Sequence, residues 1–259
     1  MDETSDRRKI GQVAEILSKH PFCVALTGAG LSTQSGLPDF RNPGKGLWAR
    51  LGELPDLASG VMTLQGFKEA PEAFYDCFRP FFDKILAAKP NPAHMAMAEM
   101  EACGYIQALI TMNGDMLHQK AGSQRVIQIH GTIGRAVCIT CYQVVEGLSL
   151  WQGYVETGKI PRCPLCGGMM KPDVILTGEQ LPAKKVLETK KLLHKCEVVL
   201  AAGTSFSGGP VMHLMEKARE PGKKMVIVNL SPTIWDSTAD IVIRADVTRV
   251  LPAIVEQLK

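Results

Sequence analysis

Apolar positions along the chain fall into two rhythms. Six short runs are apolar almost without interruption: PFCVALTG, YIQALIT, RVIQIHG, CEVVLAAGTS, KMVIVNLS and ADIVIRAD. Continuous Val, Ile and Leu without alternation suit strands covered on both faces, as in a parallel sheet. Between these runs apolar residues recur at helical spacing, as in HMAMAEMEA and PVMHLMEKARE. Strand and helix in turn predict a doubly wound α/β sheet. Two stretches break the rhythm and read as insertions: Pro43 to about Lys89, rich in Gly, Pro and aromatics, and Cys138 to Met170.

Charge and composition narrow the function classes. At 259 residues with a net charge of +3, the chain has no dense Lys/Arg run, so nucleic acid is not expected as a direct ligand. The opening MDETSDRRKIGQ is polar, and no later run approaches the roughly 18 apolar residues that span a bilayer. A soluble, cytoplasmic chain without membrane contact is the expectation, and nothing in the pattern sets an oligomeric state.

In a reducing compartment the eight cysteines argue for metal or chemistry before disulfides. Cys138-Ile-Thr-Cys141 and Cys163-Pro-Leu-Cys166 are two C-x-x-C knuckles at the spacing of a structural zinc ribbon. Four thiolates close a tetrahedral sphere, so such a zinc holds structure and leaves no position for substrate. Cys23, Cys77, Cys103 and Cys196 lie in apolar contexts and are expected to be buried packing residues.

Two loops carry candidate chemistry. The first strand runs into TGAGLSTQSGLPDFR, whose glycines let a backbone approach a pyrophosphate, although Thr33 stands where a third glycine is common. A second Gly/Ser/Thr-rich turn, AAGTSFSGGP, follows the run at Val198 to Ala201 in the same way. The segment TMNGDMLHQKAG, Thr111 to Gly122, reads either as a catalytic loop or as a turn in which Asp115 caps a short helix ended by Gly122.

Taken in order, GAGLSTQSGLPDFR, Thr111-x-Asn113-x-Asp115-x-Leu117-His118, IHG at Ile129 to Gly131, the cysteine quartet, PDVILTGEQLP, GTS and VNL resemble the sirtuins. These are NAD-dependent protein deacylases, and the resemblance spans most of the chain. It implies a Rossmann-type NAD-binding domain from residues 1–43, 90–132 and 172–259. It further implies a small domain of a helical module, 44–89, and a zinc-ribbon module, 133–171, with NAD and an acyl-lysine peptide meeting between.

Residue roles follow from the resemblance alone. His130 is the implied catalytic base, and His118 then serves its helix; imidazole suits the role because its ordinary pKa lies near 6.5. Gly28, Ala29, Gly30, Ser32, Asp39, Phe40 and Arg41 are implied NAD contacts, with Phe40 covering the departing nicotinamide on a loop that continues through Asn42 to Trp48. Met112, Asn113 and Asp115 belong to the nicotinamide and ribose pocket, with Asp115 accepting from the carboxamide. Gly203, Thr204 and Ser205 line the phosphate path; Asn229, Leu230, Ser231, Asp246 and Val247 lie at the adenosine end. The peptide is expected to add as a strand beside Val174, Ile175, Leu176 and Thr177 and the Ser207–Pro210 loop, with Tyr75 and Phe78 near the acyl chain.

The chain departs from the family pattern at Met112, Gly114, Thr177 and Gly208, where glutamine, a branched apolar residue, phenylalanine and valine are usual. Met112 cannot make an amide's hydrogen bonds, and Gly114 is expected to loosen the nicotinamide pocket. An ADP-ribosyltransferase or NAD glycohydrolase on the same fold is the alternative, and a non-catalytic NAD or acyl-peptide sensor a third reading. In AFYDCFRPFF, Arg79 is one position beyond the Tyr-x-x-Arg spacing that resembles succinyl- and malonyl-preferring sirtuins. One helical position is a turn of about 100°, so acetyl or longer apolar chains are expected to be preferred.

Overall fold

The structure is a computed structural model, described here over residues 3–39, 58–206, 214, 216 and 220–259. In chain order its strands are β1 (Cys23–Thr27), β2 (Ala108–Thr111), β3 (Val126–Gln128), β4 (Gly131–Cys138), β5 (Val144–Glu146), β6 (Met170–Val174), β7 (Val198–Ala202), β8 (Lys224–Val228) and β9 (Ile241–Ile243). The six apolar runs supply a six-stranded sheet in the order β3-β2-β1-β7-β8-β9, with every neighbouring pair parallel. The chain winds outward from β1 through β2 to β3, then returns to β7 on the other side of β1. That reversal opens a crevice at the carboxyl ends of β1 and β7, where ligands bind in doubly wound sheets.

Alternate side chains of β1 explain why its run is apolar throughout. Cys23 and Ala25 enter the core beneath the helices Glu3–Lys19, Pro92–Ala102 and Val247–Leu258, with Leu17, Met97 and Leu251. Val24 and Leu26 enter the opposite core with Leu192 and Leu193 of the helix Ala183–Lys195. Both faces are thereby dry from Cys23 to Leu26, and only Thr27, at the end of the strand, is polar.

The second sheet is antiparallel, in the order β5-β4-β6. It corrects the reading of RVIQIHG as one strand: β3 stops at Gln128, and the chain crosses to the other sheet at Gly131. Gly131 has φ +86, and a Cβ there would lie 2.0 Å from the carbonyl oxygen of Asp173. Only glycine fits that crossing. The sheet therefore begins at Gly131 and ends at Val174, outside the insertion limits read at Cys138 and Met170.

A third core joins the helical segment to this sheet. Phe74, Tyr75, Phe78 and Phe82 of the helix Pro71–Ala87 pack with Phe67, with Trp151 and Tyr154 of the helix Leu148–Thr157, and with Cys138 and Cys163. Phe82 stacks on Trp151 with ring centroids 5.3 Å apart, and Tyr75 meets Tyr154 edge-on at 4.8 Å. Trp151 satisfies its indole N–H on the carbonyl of Ile133 at 2.6 Å, tying the helix to β4.

Of the isolated cysteines, Cys23 and Cys196 are buried, and burial pushes both thiols up. Cys77 is half-buried and packs against the third core, whereas Cys103 is exposed, which corrects the expected packing role of Cys103. Cys103 caps the carboxyl end of the helix Pro92–Ala102, where its side chain clears the core. Most of the PVMHLMEKARE stretch lies outside the described residues. Among the described residues no helix is long and apolar enough to cross a membrane.

Candidate active site

The predicted NAD contacts gather at the carboxyl ends of the parallel strands. Thr27 and Ala202 are the last register partners of β1 and β7, so the loops that follow emerge side by side. Beyond Thr27 comes Gly28 and a 3-10 turn at Ala29–Leu31; beyond Ala202 comes Gly203 at φ +60. A Cβ on Gly30 would stand 2.8 Å from the carbonyl oxygen of Gly203, and one on Gly203 would stand 2.3 Å from the amide nitrogen of Leu31. Two peptide backbones thus touch with no side chain between. The result is a bare polar cradle of the kind that admits a pyrophosphate at a strand-to-helix turn.

A buried polar network lies beside the cradle. Asn113 donates to the carbonyl of Gly28 at 3.0 Å and to Ser32 Oγ at 3.1 Å, which locks the loop after β2 to the loop after β1. Ser32 in turn donates to Asp115 Oδ2 at 2.6 Å, while Asp115 Oδ1 accepts from the amide of Leu117 at 2.9 Å. The turn reading of TMNGD is the one the hydrogen bonds show: Asp115 holds the short helix Leu117–Lys120 with one oxygen and faces the loop network with the other. Burial pushes its carboxyl up, against the hydrogen bonds from Ser32 and Leu117 that favour the charge.

His118 corrects its expected role. Its ring turns inward, fully buried, with Nε2 2.9 Å from Thr27 Oγ1 and its face 5.1 Å from the ring of His94, edge to face. His94 sits 3.4 Å from Ser32 Oγ and closes a capping box with Asn91. Burial brings His118 down to about 3 and His94 down to about 4, so both rings are neutral at physiological pH. His94 was not among the sequence candidates; the only signal was its position three residues after the helix-capping Asn91.

His130 is half-buried at the crossing between β3 and β4. Its backbone is pinned on both sides: Ile129 donates to the carbonyl of Thr111 at 2.9 Å, and the His130 carbonyl accepts from Ile175 at 2.8 Å. At the far side of the sheet, Asn229 donates to the Ser231 carbonyl at 2.7 Å, with Leu230 and Ser231 exposed beside it. Asp246 caps the last helix through Thr248 and accepts from Gln34 at 2.9 Å, so the end of β9 is tied to the loop after β1. Val247 is buried in that helix, Thr204 is buried and Ser205 is exposed at the cradle. Phe40, Arg41, the loop through Trp48 and the Ser207–Pro210 loop lie outside the described residues; Asp39 is the last described residue before them.

The four zinc candidates converge. Their sulfurs all lie within 4.8 Å of one another, with Cys138 and Cys166 3.5 Å apart and Cys141 and Cys163 3.7 Å apart. Tetrahedral Zn–S bonds of about 2.3 Å put sulfurs about 3.8 Å apart, so the set fits the ion. Backbone amides of Thr140, Leu165 and Gly168 point at Cys138, Cys163 and Cys166 at 3.4 Å each, an arrangement that stabilises thiolates.

The sequence model of the Sir2 family matches residues 28–210. The chain is 40% identical to NAD-dependent protein deacylase 2 of Archaeoglobus fulgidus, over 97% of this chain and 96% of that protein. It is 39% identical to the NAD-dependent protein deacylase of Pyrococcus furiosus, over 96% and 98% respectively. This chain belongs to the Sir2 family. A solved Sir2 structure with a deacetylated peptide and 3'-O-acetyl ADP ribose superposes with a TM-score of 0.84 at 32% identity, covering 95% of this chain and 97% of that one.

Within this Sir2 chain the departures from pattern find local explanations. Met112 packs its side chain against the core that holds Val24 and Leu26, and its amide donates to Thr27 at 3.0 Å, so the thioether serves packing. Gly114 is pressed against the start of β4: its carbonyl accepts from Ile133 at 2.9 Å, and a Cβ would stand 3.2 Å from the carbonyl oxygen of Gly131. A side chain at 114 would therefore have to press against the backbone at the start of β4. Thr177 is exposed and tied by its own amide to Met62 and by its carbonyl to Leu64, both at 3.0 Å.

The acyl-side residues diverge. Tyr75 is fully buried and donates to the Met170 carbonyl at 2.5 Å, so its hydroxyl faces the small-sheet core and presents nothing to a ligand, a correction to its expected role. Phe78 is nearly buried, stacked on Phe74 at 4.5 Å. Arg79 points away to the helix Leu148–Thr157, donating to the Val155 carbonyl at 2.6 Å and lying 5.8 Å over the Tyr154 ring.

Proposed function

We infer that the protein is an NAD-dependent protein deacylase that removes acyl groups from lysine, releasing nicotinamide and O-acyl-ADP-ribose. The observation that carries this reading is the convergence of the Gly30–Gly203 cradle, the Ser32–Asn113–Asp115 network and His130 at the ends of neighbouring strands in a Sir2 chain. In the proposed chemistry the acyl oxygen displaces nicotinamide from its ribose carbon, and the acyl group then moves to a ribose hydroxyl.

This chain's residues divide that work. His130, its backbone held by Thr111 through Ile129 and by Ile175, is proposed to take the proton from the attacking ribose hydroxyl. Asp115 has acceptor capacity beyond the bonds from Ser32 and Leu117, and the proposal gives that capacity to the nicotinamide carboxamide. Asn113, already on Gly28 and Ser32, fixes the loop that meets the ribose. The adenosine end is assigned to Asn229 and the Asp246–Val247 helix start.

Peptide recognition is assigned to Val174–Thr177. The amides of Ile175, Leu176 and Thr177 are already engaged by His130, Glu179 and Met62, so pairing there relies on the remaining polar groups of the segment. The division into residues 1–43, 90–132 and 172–259 against 44–89 and 133–171 is the proposed domain plan, with its small-domain limits widened to 131–174 so that β4 and β6 stay whole, and with the zinc thiols holding the smaller part. Thiols disposed for zinc require reducing surroundings, and the proposed location is the cytoplasm.

The experiment is incubation with NAD and an acetyl-lysine peptide, with products read by mass spectrometry. O-acetyl-ADP-ribose with stoichiometric nicotinamide supports the reading. Free ADP-ribose alone, or ADP-ribosylated protein, would instead identify a glycohydrolase or a transferase.

A further inference from the structure

Lys171, on β6, buries its ammonium, its side chain only 5% exposed. Its Nζ donates to the carbonyls of Pro172 at 3.1 Å and Val174 at 2.7 Å and to Glu179 Oε2 at 3.0 Å. All three protons of the ammonium are therefore used. Glu179 Oε2 also accepts from the amide of Leu176 at 2.7 Å, and the amide of Glu179 donates back to the Leu176 carbonyl at 3.0 Å. One ion pair thus grips both ends of the bend by which the chain leaves β6.

Burying such a pair is weak evidence for stability, because desolvation offsets most of the attraction. What the pair does here is geometric. Between its two anchors lie Val174, Ile175 and Leu176, and the amide of Ile175 holds the His130 carbonyl at 2.8 Å. Lys171 itself stands opposite Val137 in the sheet, one register step from Met170 opposite the zinc candidate Cys138. β6 thus runs from a position opposite Cys138 to the segment that flanks His130.

We propose that Lys171 and Glu179 are positioning residues for the acyl-lysine substrate: the pair fixes the Val174–Leu176 segment so that the peptide's main chain is received in one register beside His130. This rests on the reading of Val174–Thr177 as the peptide edge of a deacylase. Both side chains act through the backbone of that segment. A loosened segment weakens peptide capture and leaves the cradle at Gly30 and Gly203, on the other side of β1, as it was.

The test compares wild type, Lys171→Met, Lys171→Arg and Glu179→Gln in steady-state deacetylation, varying peptide and NAD separately, with zinc content measured on each. The expected result is a rise in peptide KM of about tenfold in Lys171→Met, with the NAD KM within about twofold of wild type, zinc unchanged, and recovery in Lys171→Arg. Should Lys171→Met fail to fold, Glu179→Gln keeps the shape and an acceptor for Leu176, and the same selective rise in peptide KM is expected of it. Unchanged peptide KM in the folded variants, or equal losses for peptide and NAD, would overturn the proposal. A wild-type protein that forms no O-acetyl-ADP-ribose in the same assay would instead overturn the deacylase reading.

Discussion

Gly30 and Gly203 occupy each other's side-chain space. The carbonyl oxygen of Gly203 sits 2.8 Å from where a Gly30 Cβ would be, and Gly203 itself has φ +60. Gly203→Ala must therefore strain its own backbone and push the turn at Leu31 outward, at a cost of about 1–3 kcal/mol. The expected outcome is a lowered Tm together with NAD affinity weakened by about tenfold or more, read by thermal unfolding and calorimetric titration. NAD affinity equal to wild type in a folded variant would show that the cradle is not where the pyrophosphate sits.

The buried histidines set a pH dependence of stability. Folded His118 titrates near 3 and His94 near 4, both below the ordinary 6.5 because burial opposes the charged ring. As pH falls below about 6.5 the unfolded chain takes up protons that the folded chain refuses, so stability is full above that pH and declines below it. Each ring contributes a slope of up to about 1.4 kcal/mol per pH unit down to its folded value. Asp115, pushed up by burial, works in the opposite sense above 3.8. Urea unfolding between pH 7 and 5 should show the decline, and His118→Gln should flatten it. A wild-type profile level across that range would contradict the burial argument.

Zinc should be bound at about one ion per chain by Cys138, Cys141, Cys163 and Cys166. Cys138 and Cys163 belong to the same core as Trp151, so metal loss loosens the packing around that indole. Chelation is expected to release zinc, change tryptophan fluorescence and abolish turnover together. Active protein without bound metal by elemental analysis would refute the assignment.

Legibility in the sequence tracked how local the determining physics was. The large-sheet strands and the cysteine quartet were readable because continuous apolar runs and knuckle spacing are properties of short segments. The end of β3 was not, since the break at Gly131 depends on the approach of Asp173 from a distant strand. His118 could not be assigned from its helix, because its partners Thr27 and His94 come from β1 and from a helix before β2. The close approach of the Gly131 carbonyl to Gly114 is likewise a contact between residues of different strands' ends. Tyr75 reads as an acyl-pocket residue until the Met170 carbonyl is seen on its hydroxyl. Side-chain direction and long-range backbone contact are what a one-dimensional pattern leaves out.

Acyl preference follows from the direction of Arg79. Its guanidinium is held by Val155 and by the Tyr154 face, on the outer side of the helix Pro71–Ala87. A dicarboxylic acyl chain would then receive no guanidinium from Arg79 and would be desolvated unpaired. Rates on acetyl, myristoyl and succinyl versions of one peptide should place succinyl last, with the order unchanged in Arg79→Ala. Succinyl removal equal to acetyl removal, and lost in that variant, would show that the arginine reaches the chain.

His130 is the proposed base for acyl transfer to ribose, and its role is open to a direct product assay. It is tested most directly by mass spectrometry of the products that wild type and His130→Ala form from NAD and an acetyl-lysine peptide. O-acetyl-ADP-ribose is expected from wild type, with a loss of about 10²–10⁴-fold in the variant, which remains folded and binds NAD. Undiminished O-acetyl-ADP-ribose from His130→Ala, or none from wild type, would contradict it.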